Sequence, residues 1–471
     1  MSTGRGKIFD KSLLTVTTSL GSLRFVPLAI PIFLELIFNH LLSTVSTVVL
    51  SGYSDEAVVA TGSVNIVFSL CVLLFSGMST GASVIISNYI GAEKLSQAKK
   101  TGGTAVLFLG MIGLGFAGIL LLFAPLLVRW MNLTGLVREY AIAYMRIRAI
   151  ALIFAAFSNV LLATMRCYGF PRYTVMIGIV KNICNLLCST YAVYYAKIPE
   201  LSGVHGVALG HIASECISLM IVIFFFARLK LGMSRPESAR AFLGTAKRIL
   251  AIGIPTCVSG AGYTLSQIVT NSFAQLLPRP APAAKIYCSN ILSYAYLFSS
   301  GCGHANALMA GRLHGAGRHD RADRLNKMLV HFTVPINLLV SLGILLLRVP
   351  LLSMFSDEKE IFTIAIGVFL VDILIEQARA FSHIYEYSLR STGDVLPTML
   401  TTLASCWIFS VALAYILGIR LGLGLIGFYI GLALDEWTRA AFTFFRWKHR
   451  IAVLVGKNAK RSRKENNCLQ L

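Results

Sequence analysis

Charged side chains are scarce in this chain. Asp, Glu, Lys and Arg together make up 13% of its 471 residues, about half the ~25% of an ordinary soluble domain. Acids are scarcer still, 21 against 42 Lys and Arg. That shortage excludes a hydrated globular surface. With 56% hydrophobic residues and a mean hydropathy of +0.72, most of the chain is placed in lipid. The ten cysteines are scattered singly, and only Cys184 and Cys188 lie one helical turn apart, without a histidine or carboxylate close by. Neither a zinc site nor a disulfide framework is implied, no metal is expected, and the thiols read as core packing. No His/Asp metal cluster, Ser/His/Asp arrangement or phosphate loop appears, which argues against an enzyme, and no filter motif suggests a channel. Domain-sized soluble segments are absent as well. The first 24 residues carry Arg5, Lys7, Lys11 and Arg24 without an apolar core ahead of a small-residue cleavage site. The first apolar segment is therefore expected to stay as a span.

What is present is a series of long apolar runs. Twelve segments of roughly 20 residues or more read as membrane helices. They lie near 25–50, 62–86, 103–128, 142–163, 173–196, 203–227, 250–276, 286–310, 329–352, 361–386, 396–418 and 423–446. Lys and Arg orient them. Of the 42, 29 fall at the N-terminus, in the even-numbered loops and in the C-terminal tail, and eight, Lys285 among them, fall in the loops opposite. The excess puts both termini in the cytoplasm. The net charge of +21 is then a topology signal, and no nucleic-acid partner is implied. The expected location is the cell (inner) membrane, crossed many times.

The chain also repeats itself. GMSTGASVIISNYIGAEKLSQAKK at 77–100 is echoed by GCGHANALMAGRLHGAGRHDRADR at 301–324, with Gly77 over Gly301 and Gly91 over Gly315. Pro31 and Pro255, Arg166 and Arg390, and Gly169 and Gly393 keep the same spacing of 224 residues. A register held across glycines, a proline and an arginine without a gap is an internal duplication. Six spans per copy is an even number, so the copies are parallel repeats related by an axis along the membrane normal. The hydrophilic connection at 228–248 is the natural boundary. The expected fold is an all-α integral membrane protein: twelve transmembrane helices as two six-helix bundles, 1–235 and 236–471, around a central cleft.

On these motifs the chain resembles the multidrug and toxic compound extrusion (MATE) family over roughly residues 20–448. The glycine-rich segment with Gly91-Ala92, MRCYGFPRYTVMIGIVKNICNLL with its Arg-x-x-Gly turn, the matching SLRSTGDVLPTML, and the pair GVHGVALGHIASE and GLIGFYIGLALDE carry the resemblance. It implies a secondary active exporter of drugs or metabolites, driven by inward protons or sodium ions, with no cofactor beyond the coupling ion.

Ionisable side chains in hydrocarbon are costly and usually face a cavity or a partner. The first span carries Glu35, Asn39, Ser43 and Ser46 on one helical face. Glu35 lies about 15 Å along the helix from its cytoplasmic end, near the midplane. It can serve in ion coupling or substrate binding, or hydrogen-bond a neighbouring helix. By alignment, the family's first-span aspartate falls at Ser46, which leaves Glu35 as its substitute. The tenth span bears a continuous face of Asp372, Glu376, Arg379, His383, Glu386 and Arg390. Glu376 can meet Arg379, and Glu386 can meet Arg390; Asp372 has no local partner, and histidine is the side chain that changes charge near neutral pH. In the fifth span Asn182 and Asn185 match the family's asparagines, and Lys181 beside them either neutralises Glu35 or reaches towards the cytoplasm.

The reading is an ion-coupled efflux antiporter working by alternating access on an amphipathic small molecule, expected as a monomer. Glu35, Asp372 and Glu376 are the ion-coupling candidates; Asn39, Ser46, Asn182, Asn185, Arg379 and His383 are the cavity candidates. The alternatives are a lipid-linked precursor flippase of the same superfamily and, more remotely, an integral membrane enzyme.

Overall fold

The computed structural model describes residues 11–18, 21–51, 54–196, 198 and 203–469, and side chains among these except at 11, 21, 42–51, 55 and 457–469. It is almost wholly helical. The long helices are α1 (Phe25–Ser51), α2 (Asp55–Gly91), α3 (Leu95–Trp130), α4 (Gly135–Cys167), α5 (Pro171–Tyr194), α6 (Gly203–Arg228), α7 (Ala239–Ala274), α8 (Pro280–Gly315) and α9 (His319–Leu346). They are followed by the short α10 (Arg348–Ser353), then α11 (Lys359–Ser391), α12 (Leu396–Ser405) and α13 (Gly424–Leu469). α12 runs on through two π-helical stretches, Cys406–Leu413 and Ile416–Arg420.

Each apolar segment read from the sequence coincides with a helix. Nine helices among the described residues are long and apolar enough to cross a membrane: α2 to α7, α9, α11 and the helix from Leu396 to Arg420. α1 has a shorter qualifying stretch, Phe25–Leu41. α8 and α13 fall outside the nine because polar residues dilute them, among them Lys285, Asn290, His304 and Asn306 in α8, and Asp435, Glu436 and Arg439 in α13.

Two expectations are corrected, on Lys285 and on the length of the connector. Lys285 does not lie in a loop: α8 begins at Pro280, and the Lys285 side chain is buried. The basic tail after Arg446 continues as helix, α13 running to Leu469. The hydrophilic connector is shorter than its polarity suggested, with only 229–238 outside helices. That connector is tied to α3 through Ser234 N–H to Lys99 O, 3.2 Å, and Lys100 Nζ to Glu237 Oε1, 2.5 Å. A two-stranded hairpin, β1 (Thr15–Thr18) with β2 (Gly21–Arg24), precedes α1. β-branched residues in β1 suit a strand, and Arg321 secures this segment by donating to Ser12 O at 2.7 Å and Thr15 O at 3.0 Å.

The duplication is visible in the backbone. α2 ends at Gly91 and α8 at Gly315, α3 starts at Leu95 and α9 at His319, α4 ends at Cys167 and α11 at Ser391, all 224 apart. Gly169 and Gly393, which follow α4 and α11, both take the left-handed conformation, at φ 93° and 77°, where glycine carries no Cβ penalty.

By packing, the chain forms two compact units. The N-terminal unit comprises Leu34–Ile86 and Lys94–Cys257; the C-terminal unit takes the described residues of Met1–Phe33, Ser87–Glu93 and Val258–Leu471. In the N-terminal unit α3 packs on α4, and α4 and α5 on α6. Its core sets Phe68, Phe75, Tyr144 and Met145 among Ala57, Ala60, Ala141 and Ala156, small side chains that let helices approach closely. In the C-terminal unit α11 is the central element, packed against α8, α9 and α13. Its last third is buried on nearly every side, which is why a charge-bearing face there cannot reach solvent.

The ends of α2 and α8 cross within the C-terminal unit. A Cβ on Gly91 would strike the Arg312 backbone, and one on Gly315 would strike the Asn88 backbone. Nothing lies within 4 Å of a Cβ at Gly115. Gly315→Ala is expected to cost about 1–3 kcal/mol through overpacking and Gly115→Ala almost nothing. Thermal unfolding of the detergent-solubilised variants, followed by tryptophan fluorescence, checks the contrast.

Candidate functional site

The tenth-span ladder lies on α11, and the structure joins it to α13. Arg379 is the hub. Its Nη1 donates to Glu376 Oε1 at 2.6 Å, its Nε to Glu436 Oε1 at 2.9 Å, and its Nη2 to Tyr263 Oη at 3.1 Å. Arg439 reaches the same Glu436 oxygen at 2.5 Å and Asp435 Oδ1 at 3.1 Å. Asn337 on α9 donates to Glu376 Oε2 at 3.1 Å and to the Glu376 carbonyl at 2.8 Å. The π-helical stretch after α12 presents Ser410 and Cys406 to Asp435 Oδ2, at 2.9 Å and 3.4 Å. Three carboxylates thus share two guanidinium groups in a buried chain, as such groups must when water is excluded.

The pairs read from spacing, Glu376–Arg379 and Glu386–Arg390, are both present. Asp372 is different. It is 2% exposed and its Oδ2 has no hydrogen-bonding partner. His383 is also buried, with Nδ1 unpartnered and its ring edge-on to Tyr296 at 5.5 Å. Two cavities flank the network and share Tyr263 and Tyr296 in their walls. The larger, of about 380 Å³, is lined by Asp372, Arg379 and Lys285 among others. The smaller, of about 110 Å³, is lined by His383, Glu386, Arg390, Glu436 and Arg439.

The N-terminal unit holds the remaining candidates. Both oxygens of Glu35 accept from Arg166 Nη1 at 3.2 Å, and Oε2 also accepts from Thr174 Oγ1 at 3.3 Å. Arg166, in the last turn of α4, is thereby the counter-ion of Glu35. Lys181 neither neutralises Glu35 nor stands alone: it pairs with Glu215 on α6 at 2.9 Å. Asn182 donates to Asn39 Oδ1 at 2.6 Å, so these two candidates meet. Asn185 is 3.0 Å from His211 Nδ1. Arg148 bonds Asn65 and, at 3.0 Å, Tyr144 Oη, with its guanidinium 4.5 Å from the Phe68 ring centre. Ser46 lies outside the residues whose side chains are described.

Sequence reasoning thus singled out two separate sets: Glu35, Asn39, Asn182 and Asn185 in the N-terminal unit, and Asp372, Glu376, Arg379 and His383 in the C-terminal unit. It underweighted Lys285, Tyr263, Tyr296 and Asn337. A lysine a few residues inside a proline-started helix was a visible signal; the tyrosines carried none, because aromatic residues are common on any apolar helix.

Removing one member of a buried ion pair strands the other. Arg379→Met is therefore expected to destabilise the protein by about 3–5 kcal/mol, and the double variant Arg379→Met/Glu376→Gln to recover part of that loss. Thermal unfolding in detergent, run as a double-mutant cycle, measures both.

The chain matches the MatE family profile over residues 31–190 and 255–416, two stretches that begin at the repeated prolines Pro31 and Pro255. An uncharacterised transporter of Bacillus subtilis, YisQ, is 26% identical over 427 residues, covering 90% of this chain and 94% of its own. A probable multidrug resistance protein of Thermotoga maritima, NorM, is 24% identical over 448 residues, covering 92% and 95%. Among solved structures, an outward-facing MATE transporter of the MOP superfamily superposes with a TM-score of 0.83 at 19% identity, covering 92% of this chain and 96% of its own. A MOP superfamily transporter from Pyrococcus furiosus, reported with a binding pocket of reversed polarity, gives 0.81 at 20% identity, covering 96% and 99%. With both repeats matched by one family profile, the chain belongs to the MatE family, the multidrug and toxic compound extrusion transporters.

Proposed function

We propose that this protein is a secondary active exporter that moves amphipathic small molecules out of the cell in exchange for inward protons or sodium ions. In this reading α1 to α9, α11, α12 with its π-helical continuation, and α13 are twelve membrane spans. They form two six-helix bundles about a central cleft, and both termini are cytoplasmic. The observation that carries the reading is the family match over both repeats, 31–190 and 255–416. The drug-resistance names of relatives such as the Thermotoga maritima protein favour drug or metabolite export over lipid-linked precursor flipping.

The contacts rank the coupling candidates. A proton or sodium ion can bind Asp372 without breaking an existing bond, because Oδ2 is unpartnered at a cavity wall. At Glu376 it has to compete with Arg379 and Asn337, and at Glu35 with Arg166 and Thr174. Neutralising Asp372 changes the field at Arg379 and Glu436 in the same low-dielectric interior. Alternating access follows if ion and substrate favour different conformations, since a ligand shifts an equilibrium only by its differential affinity.

Ethidium transport in inverted membrane vesicles, energised with a proton or a sodium gradient, tests this. Asp372→Asn is expected to lower gradient-driven transport at least tenfold, and Glu35→Gln to lower it less. If neither gradient drives transport of ethidium or of a zwitterionic dye, the exporter reading is wrong. Normal transport by Asp372→Asn would remove that residue from the coupling step while leaving the rest standing.

A further inference from the structure

We propose that the larger cavity of the C-terminal unit takes zwitterionic small molecules, Lys285 binding the anionic group and Asp372 the cationic one. This deepens the exporter reading by naming a substrate class, and its transport meaning rests on that reading.

A volume of about 380 Å³ lies in the range that accommodates small organic ligands, roughly 300–1,000 Å³. Three ionisable side chains face it: Lys285, Asp372 and Arg379. Arg379 is already committed, with bonds to Glu376, Glu436 and Tyr263. The other two are not. Lys285 is 6% exposed and its Nζ has no hydrogen-bonding partner; Asp372 is 2% exposed and its Oδ2 has none. The Phe428 ring, with its centre 5.6 Å from Nζ, gives the ammonium partial compensation. No ion pair joins Lys285 to Asp372, although both line one cavity.

A buried charge without a partner costs several kcal/mol, and an unsatisfied buried polar group calls for a reason. Two such groups of opposite sign in one wall have a common reason if the ligand brings both counter-charges. An organic cation seated against Asp372 leaves Lys285 without a counter-charge. An organic anion seated against Lys285 leaves Asp372 without one. Only a molecule bearing both signs satisfies the pair. The rest of the wall suits its body, since Tyr296 and Tyr429 offer aromatic faces and Gln267 and Ser289 offer neutral hydrogen bonds.

The test uses the purified full chain in lipid nanodiscs and three probes on one scaffold. Nε-dansyl-lysine carries an ammonium and a carboxylate, dansylcadaverine the ammonium alone, and dansyl-aminohexanoic acid the carboxylate alone. Dansyl fluorescence reads the binding. Dansyl-lysine is expected to bind about tenfold more tightly than either of the others, the worth of one charge-assisted hydrogen bond. Lys285→Met should bring it down towards dansylcadaverine, Asp372→Asn towards dansyl-aminohexanoic acid, and Lys285→Arg should keep the preference. Equal affinities in the unmodified protein, no binding by any of the three, or a preference that survives Lys285→Met overturns the proposal. The ladder of probes on the unmodified protein stands even if a variant fails to fold. A protein that shows the preference yet moves neither ethidium nor dansyl-lysine under either gradient refutes the exporter reading alone.

Discussion

Arg379 holds the C-terminal unit to its chemistry. One guanidinium, 7% exposed, binds carboxylates from two helices, Glu376 of its own α11 and Glu436 of α13, and a tyrosine from α7. In an environment where an isolated charge at a helix centre costs about 2.5 kcal/mol or more, such a residue persists only if its whole donor set is satisfied. The planar fork of arginine does this in three directions, as a lysine could not. Everything around it follows: Asn337 caps the second Glu376 oxygen, Arg439 shares Glu436, and Ser410 and Cys406 close the far end at Asp435.

Among the described residues that chain leaves only Glu436 Oε2 and Asn337 Oδ1 unpartnered, and the open groups beside it on α11 stand out. Asp372 lies two helical turns before Arg379 on α11 and keeps a bare oxygen. His383, one turn after Arg379, keeps a bare ring nitrogen. A densely bonded network is rigid and specifies one arrangement; groups left open beside it are the ones whose state a small ion or ligand can change. Structural and responsive charges are thus interleaved on a single helix, and only the contacts separate them.

The repeat explains the scaffold and not the chemistry. Corresponding helix ends recur 224 residues apart, and the close crossing of α2 with α8 needs glycine at both members of a repeated pair. Asp372 occupies the repeat position of Arg148, which is bound by the neutral partners Asn65 and Tyr144. The second copy thus places an acid where the first places a base. In the N-terminal unit the acids Glu35 and Glu215 are each matched with a cation, Arg166 and Lys181. The same frame gives both of these acids a cation in one unit and leaves Asp372 without an ion pair in the other.

Composition, periodicity and the repeat were enough to determine the helical membrane class and the positions of the long helices, because each rests on local properties: apolar length, i,i+3 and i,i+4 spacing, and a fixed offset; the family was legible only through the resemblance of its motifs. The pairings Glu376–Arg379 and Glu386–Arg390 were readable for the same reason. Partners from other helices were not. That Glu35 belongs to Arg166, that Lys181 belongs to Glu215, and that Lys285 is buried beside a cavity in place of facing solvent were decided by tertiary packing. The reason is physical: in a low-dielectric interior the state of a charge depends on what stands within about 4 Å of it, and residues that distant in sequence reach that range only when the helices have packed.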